Sequence, residues 1–193
     1  LICVLALDKF GDFVSDQVVA PVRETCAQTL GSVFNIMSNE RILKAIDILL
    51  KLLSRPEWET RHGGLLGLKY LLAIRQDLTQ TLLPIVFDAI FNCLKDPIDD
   101  VSAVAAAALV PVKDSLIESL PDKIPVIIDF LWDALNEIDD LTSSTSNILM
   151  LLSSLLTHFS KAYNSELKNL VPRLWPFLYH NLTSVRKSVL ESL

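Results

Sequence analysis

Five stretches of this sequence superimpose without gaps: PVRETCAQTL, ETRHGGLLGL, DVSAVAAAAL, DLTSSTSNIL and SVRKSVLESL. With Val22, Thr60, Val101, Leu141 and Val185 at position zero, the intervals are 38, 41, 40 and 44 residues. Position eight is leucine in every copy: Leu30, Leu68, Leu109, Leu149 and Leu193. Positions zero, four and eight lie on one face of a helix. Position four is small in most copies, as Cys26, Gly64, Ala105 and Thr145, with Val189 the exception, so a partner helix must come close there. That partner is a second pattern upstream: ILKAIDILLKLL, LPIVFDAIFNCL and IPVIIDFLWDAL, starting at 42, 83 and 124. Each unit is therefore a helix pair, A then B. A pair recurring at about forty residues predicts an all-α fold, a HEAT-type α-solenoid in which each unit buries its apolar face by stacking on its neighbours. The expected array has about five helix-pair repeats and no sheet, with approximate units 1–38, 39–76, 77–119, 120–160 and a truncated 161–193.

The chain has material for such a core, since 51% of its residues are hydrophobic and only five are glycine. Three of those glycines, Gly63, Gly64 and Gly67, fall in the second B pattern. Beside His62 they could be read as an esterase oxyanion loop or a phosphate cradle. Those readings require a nucleophile elbow, or a preceding strand with a following Lys-Ser or Lys-Thr, and neither is present. Three glycines inside a helix cost roughly 2.5 to 3 kcal/mol relative to alanine, which calls for a close contact in compensation. Small residues for helix packing are the expectation. His62, His158 and His180 have no cysteine or serine at a spacing that implies a catalytic pair. Cys3, Cys26 and Cys93 show neither a disulfide framework nor zinc-ligand spacing, and fit a reducing compartment. No catalytic, cofactor-binding or metal-ligating residue is therefore expected.

A formal net charge of −6 with scattered basic residues argues against duplex binding as the main role. The apolar candidate IPVIIDFLWDAL is broken by Asp129 and Asp133, so a soluble chain with no membrane span is expected. The sequence opens at Leu1 within an apolar run, and is expected to be a piece of a longer protein.

Interaction is the remaining class. Trp58 precedes a B helix and is a candidate interface anchor, whereas Trp132 and Trp175 lie in A patterns and are expected to pack between units. Carboxylates recur before position zero: Asp16, then Glu57 and Glu59, then Asp96, Asp99 and Asp100, then Glu137, Asp139 and Asp140. Some answer the preference of helix N-termini for acidic residues. In a stack these turns share one edge, so an acidic ridge is expected, with Trp58, Asp96, Asp99, Asp100, Asp139 and Asp140 as candidate partner-binding residues. Position one is arginine in three copies, Arg23, Arg61 and Arg186, and serine at Ser102. An arginine ladder against the acidic neighbours would be interrupted there.

Two stretches are more specific: Val18-Val19-Ala20-Pro21-Val22-Arg23-Glu24-Thr25-Cys26-Ala27-Gln28-Thr29-Leu30-Gly31, and Trp58-Glu59-Thr60-Arg61-His62-Gly63-Gly64-Leu65-Leu66-Gly67-Leu68-Lys69-Tyr70. Together with Asp139-Asp140-Leu141-Thr142 and Pro172-Arg173-Leu174-Trp175-Pro176-Phe177-Leu178, they resemble the N-terminal HEAT region of the TATA-binding-protein-associated Snf-type ATPase family. The resemblance implies a nuclear transcription regulator whose HEAT array grips the TATA-binding protein. It also implies a helicase-like motor, outside this chain, that uses ATP to remove that protein from promoter DNA. The chain itself would be a non-enzymatic scaffold without a cofactor or small-molecule substrate. A general HEAT adaptor, such as a nuclear transport receptor or a phosphatase subunit, would share the period but not these stretches.

Overall fold

A computed structural model describes residues 1–9, 12–14, 17–137, 143–159, 171–179 and 183–192. Its helices follow the A–B alternation: α1 (Ile2–Leu7) with α2 (Pro21–Ile36), α3 (Asn39–Leu53) with α4 (Trp58–Ile74), and α5 (Thr79–Leu94) with α6 (Asp99–Leu109). A short α7 (Lys113–Ser119) leads to α8 (Ile124–Glu137) and α9 (Ser143–Phe159). A 3-10 stretch, Val171–Tyr179, precedes α10 (Thr183–Ser192). The B helices stack in sequence, α2 on α4, α4 on α6, α6 on α9 and α9 on α10, with the A helices packed beside them. One departure from the expected absence of sheet is a small antiparallel hairpin, β1 (Asp12–Val14) with β2 (Gln17–Val19), pairing Asp12 with Val19 and Val14 with Gln17 across the first A–B connection.

The periodic leucines form the seam of the core. Leu30, Leu68, Leu109 and Leu149 are all buried, while Leu193 lies outside the described residues. In the first two units position four faces its own A helix, as the sequence requires. The Cys26 thiol reaches the Leu1 carbonyl at 3.3 Å, and a Cβ added at Gly64 would stand 2.9 Å from Leu53 Cδ2 and 3.0 Å from Leu52 Cβ. Gly63 is tighter still, since a Cβ there would lie 1.9 Å from the Leu5 carbonyl oxygen of α1. Gly67 faces Leu49 of α3, with a Cβ placed 2.7 Å from Leu49 Cδ2. The three glycines are therefore packing positions in a continuous helix, and the catalytic-loop reading falls.

Pro84 sits inside α5, whose start is Thr79. One expectation needs correction. Trp175 is not packed between units: it is 56% exposed in the 3-10 stretch, where Pro172 and Pro176 each remove a backbone donor and prevent a regular α-helix from carrying it inward. Trp132 in α8 is buried, as expected.

Candidate partner-binding edge

The second and third A–B turns lie side by side, and the position-one side chains Arg23 and Arg61 reach across between units. Arg23 is fully buried. Its Nη1 donates to the Glu59 carbonyl at 3.2 Å, its Nε stands 3.8 Å from Asp8 Oδ2, and its guanidinium lies 5.4 Å from the centre of the Trp58 ring. Burial lowers its pKa, opposed by the charges of Asp8, Glu59 and Asp100. Arg61 repeats the device one unit on. Its Nε and Nη2 donate to the two oxygens of Asp96 at 2.7 and 2.9 Å, while Nη1 donates to the carbonyls of Arg55 and Pro56 at 3.0 and 2.7 Å. This bidentate pair raises the Arg61 pKa and ties the second A–B turn to the third. The expected arginine ladder therefore has two rungs here.

At the third position the rung changes. The Ser102 hydroxyl turns back to donate to the Leu94 carbonyl of its own unit at 2.9 Å, so nothing at that position reaches forward. In the last described unit, Arg186 Nη2 donates to Thr183 Oγ1 within α10 at 3.0 Å.

The candidate contact residues divide accordingly. Trp58 is not in a turn but is the first residue of α4. It is half-buried, under Arg23 and edge-on to His62 at 6.2 Å, so it serves the seam between the first two units. Asp96 also leaves the ridge: its side chain is only 7% exposed, because Arg61 holds both its oxygens and Oδ1 also accepts the Ile98 amide at 3.1 Å. Asp99 is exposed and Asp100 half-buried in the first turn of α6, where acidic charge complements the helix dipole. Burial and the neighbouring Asp99 raise the Asp100 carboxyl above its ordinary range. Asp16, Asp139 and Asp140 lie outside the described residues. Among the described turn residues, Glu57 and Asp99 are the carboxylates most open to a partner.

Sequence reasoning missed three local devices. Arg75 clasps the opposite edge, donating to the carbonyls of Phe34 and Met37 at the end of α2 and pairing with Asp77. The Phe34 carbonyl also accepts the Met37 amide at 3.3 Å, so Arg75 adds a second donor at the end of α2, and a basic residue after α4 was the available signal. On the B face, the Tyr70 hydroxyl donates to Glu24 and accepts from Gln28, with Lys69 3.5 Å from the same carboxylate. The Lys95 ammonium lies 4.5 Å from the Phe91 ring centre and 5.7 Å from that of Phe130.

Among the described residues no group of His, Cys, Asp and Glu could hold a metal ion, and no helix is long and apolar enough to cross a membrane. No protein-family model matches the chain. It is 58% identical over 196 residues to TATA-binding protein-associated factor 172 of Homo sapiens, and 42% identical over 226 residues to TATA-binding protein-associated factor BTAF1 of Arabidopsis thaliana. Both alignments cover all of this chain and 11% of the relative. In three dimensions, 98% of the chain superimposes on 23% of the protein in a crystal structure of the Mot1 N-terminal domain in complex with TBP. The TM-score is 0.73 and the identity 23%. At that identity the superposition speaks for the fold, a helical stack of the same kind.

Proposed function

Because the chain is homologous along its whole length to one segment of the TATA-binding protein-associated factors, we propose that it is a TATA-binding-protein-binding scaffold segment of such a factor. The whole-length identity carries this reading over a general HEAT adaptor, which would share only the helix-pair period. The stack contributes no chemistry of its own; it presents a rigid edge of A–B turns. Acidic side chains on that edge, Glu57 and Asp99 among those described, attract a basic, DNA-binding partner and orient its approach more than they add net affinity. By the same homology the parent protein acts in the nucleus. A motor outside this chain would spend ATP to take the partner off promoter DNA, and this segment would hold the partner meanwhile.

Association rates of the chain with purified TATA-binding protein, measured at low and at physiological salt, test this. We expect binding that slows as salt rises, and a Glu57→Lys, Asp99→Lys variant that associates several-fold more slowly with a flatter salt dependence. No binding at either salt overturns the scaffold reading, and an unchanged rate in the variant removes these carboxylates from the contact.

A further inference from the structure

We propose that the cleft beside Ser102 is an arginine slot, which takes a guanidinium from a basic protein partner and so receives from outside the rung that Arg61 supplies from within one unit earlier. The inference rests on the scaffold reading only for the identity of the partner. The slot itself rests on the register of the repeat. Arg61 binds the carbonyls of Arg55 and Pro56; forty-one residues later the same three positions are Ser102, Asp96 and Pro97. With Ser102 folded back onto Leu94, a cleft of about 580 Å³ remains, lined by Asp96, Pro97, Asp99, Ser102, Phe130 and Asp133 among others.

The lining matches a planar cation better than any other small group. Exposed carboxylates stand on two different helices, Asp99 on α6 and Asp133 on α8. Asp96 is already neutralised by Arg61, and Lys95 is the basic residue in the lining, so the two open carboxylates exceed it by one charge. The aromatic wall already holds a cation, since Lys95 Nζ sits over Phe91 and Phe130. Phe130 therefore belongs to a wall that attracts cations, and by the register of the repeat the Asp96 and Pro97 carbonyls correspond to those of Arg55 and Pro56 that meet the Arg61 fork. That combination favours arginine over lysine, whose ammonium is compact and strongly hydrated. The wall toward α9 is apolar, formed by Ile148, which suits the methylene stem of the incoming side chain.

Two titrations decide the matter. In the first, the isotope-labelled chain is titrated with N-acetyl-arginine amide and, separately, N-acetyl-lysine amide, following backbone amide resonances. Saturable shifts centred on Ser102, Phe130 and Asp133 with arginine, and at least several-fold weaker shifts with lysine, are expected. Ser102→Arg, which fills the slot from within, should abolish them and raise the melting temperature. Asp133→Asn, an exposed change that leaves the fold undisturbed, should weaken them even if Ser102→Arg fails to fold. Absent arginine shifts, or equal shifts with lysine, overturn the slot. In the second, affinity for the TATA-binding protein is measured for wild type, Ser102→Ala and Asp133→Asn. An affinity kept in Ser102→Ala and lowered about tenfold in Asp133→Asn, the loss expected of one charge-assisted contact, supports that protein as the donor. Equal affinities in all three overturn it as the donor. Failure of wild type to bind at all overturns the scaffold reading, while the arginine titration still judges the slot.

Discussion

Helices α4 and α6 hold the same place in successive units and meet the same demand for close approach with different residues. In register, Gly63, Gly64 and Gly67 of α4 correspond to Val104, Ala105 and Ala108 of α6. At Gly64 and Gly67 the neighbours of an added Cβ are mainly leucine side chains of α3, a kind of contact that alanine manages in α6, where Ala105 and Ala108 are fully buried. At Gly63 the neighbour is the Leu5 carbonyl, main chain that cannot rotate aside; its counterpart Val104 carries a full branched side chain and remains half-buried. What a small residue must accommodate, a side chain or a backbone, decides whether alanine will do. The difference extends to position one, where Arg61 reaches forward and Ser102 does not.

The sharpest way to break this comparison is Gly63→Ala. A methyl group against the Leu5 carbonyl forces α1 away, costing about 3 kcal/mol or more, a fall in melting temperature of roughly 6–12 °C for a chain of this size. Val104→Ala at the matching position should cost only about 1 kcal/mol. Similar thermal shifts for the two variants would dissolve the distinction between backbone and side-chain contact.

A second difference concerns His62, whose counterpart in α6 is Ala103. Burial, with Arg23 and Lys69 adding to it, lowers the His62 pKa from its ordinary value of 6.5 to about 3. The unfolded chain therefore binds this proton more readily than the native one. Stability from this site is complete above about pH 6.5 and declines as pH falls toward 3. His62→Gln should flatten the pH dependence of chemical denaturation between pH 7 and 4, removing on the order of 2–3 kcal/mol of it. Parallel curves for wild type and variant would place the imidazole in contact with solvent.

The smallest expected effect is Ala105→Gly, which converts α6 toward the α4 solution. With no backbone pressed against that site, the exchange should cost about 1 kcal/mol through helix propensity alone. A stabilised variant would mean that α6, too, is short of room.

Periodicity made the helix pairs, the buried leucines at position eight and the small residues at position four legible, because each reports which face of a helix is covered. It could not report what lies across the gap. Nothing local to Gly63 says that its neighbour is a carbonyl more than fifty residues upstream rather than its own A helix. Asp96 looked like one of a group of surface carboxylates; only the arrival of Arg61 from the preceding unit turns it inward. Trp175 was misread because an A-type spacing does not register two prolines four residues apart. The arginine ladder was visible as recurring residues, and its break at Ser102 as a single exception, but the cleft beside it depends on where α8 stands.

The seating of α1 also bears on the order of events during synthesis. Its carbonyls are held from a distance: Ala6 accepts the Thr60 hydroxyl at 2.8 Å across 54 positions of sequence, and Leu5 lies against Gly63. Isolated short helices do not persist by themselves in water, and α1 leans on α4 through these contacts. At about 5–20 residues per second, a ribosome takes roughly 3–11 s to deliver the partner that completes it. Helix α1 is therefore among the later elements to settle, and its apolar side chains remain open to chaperones until α4 has left the exit tunnel.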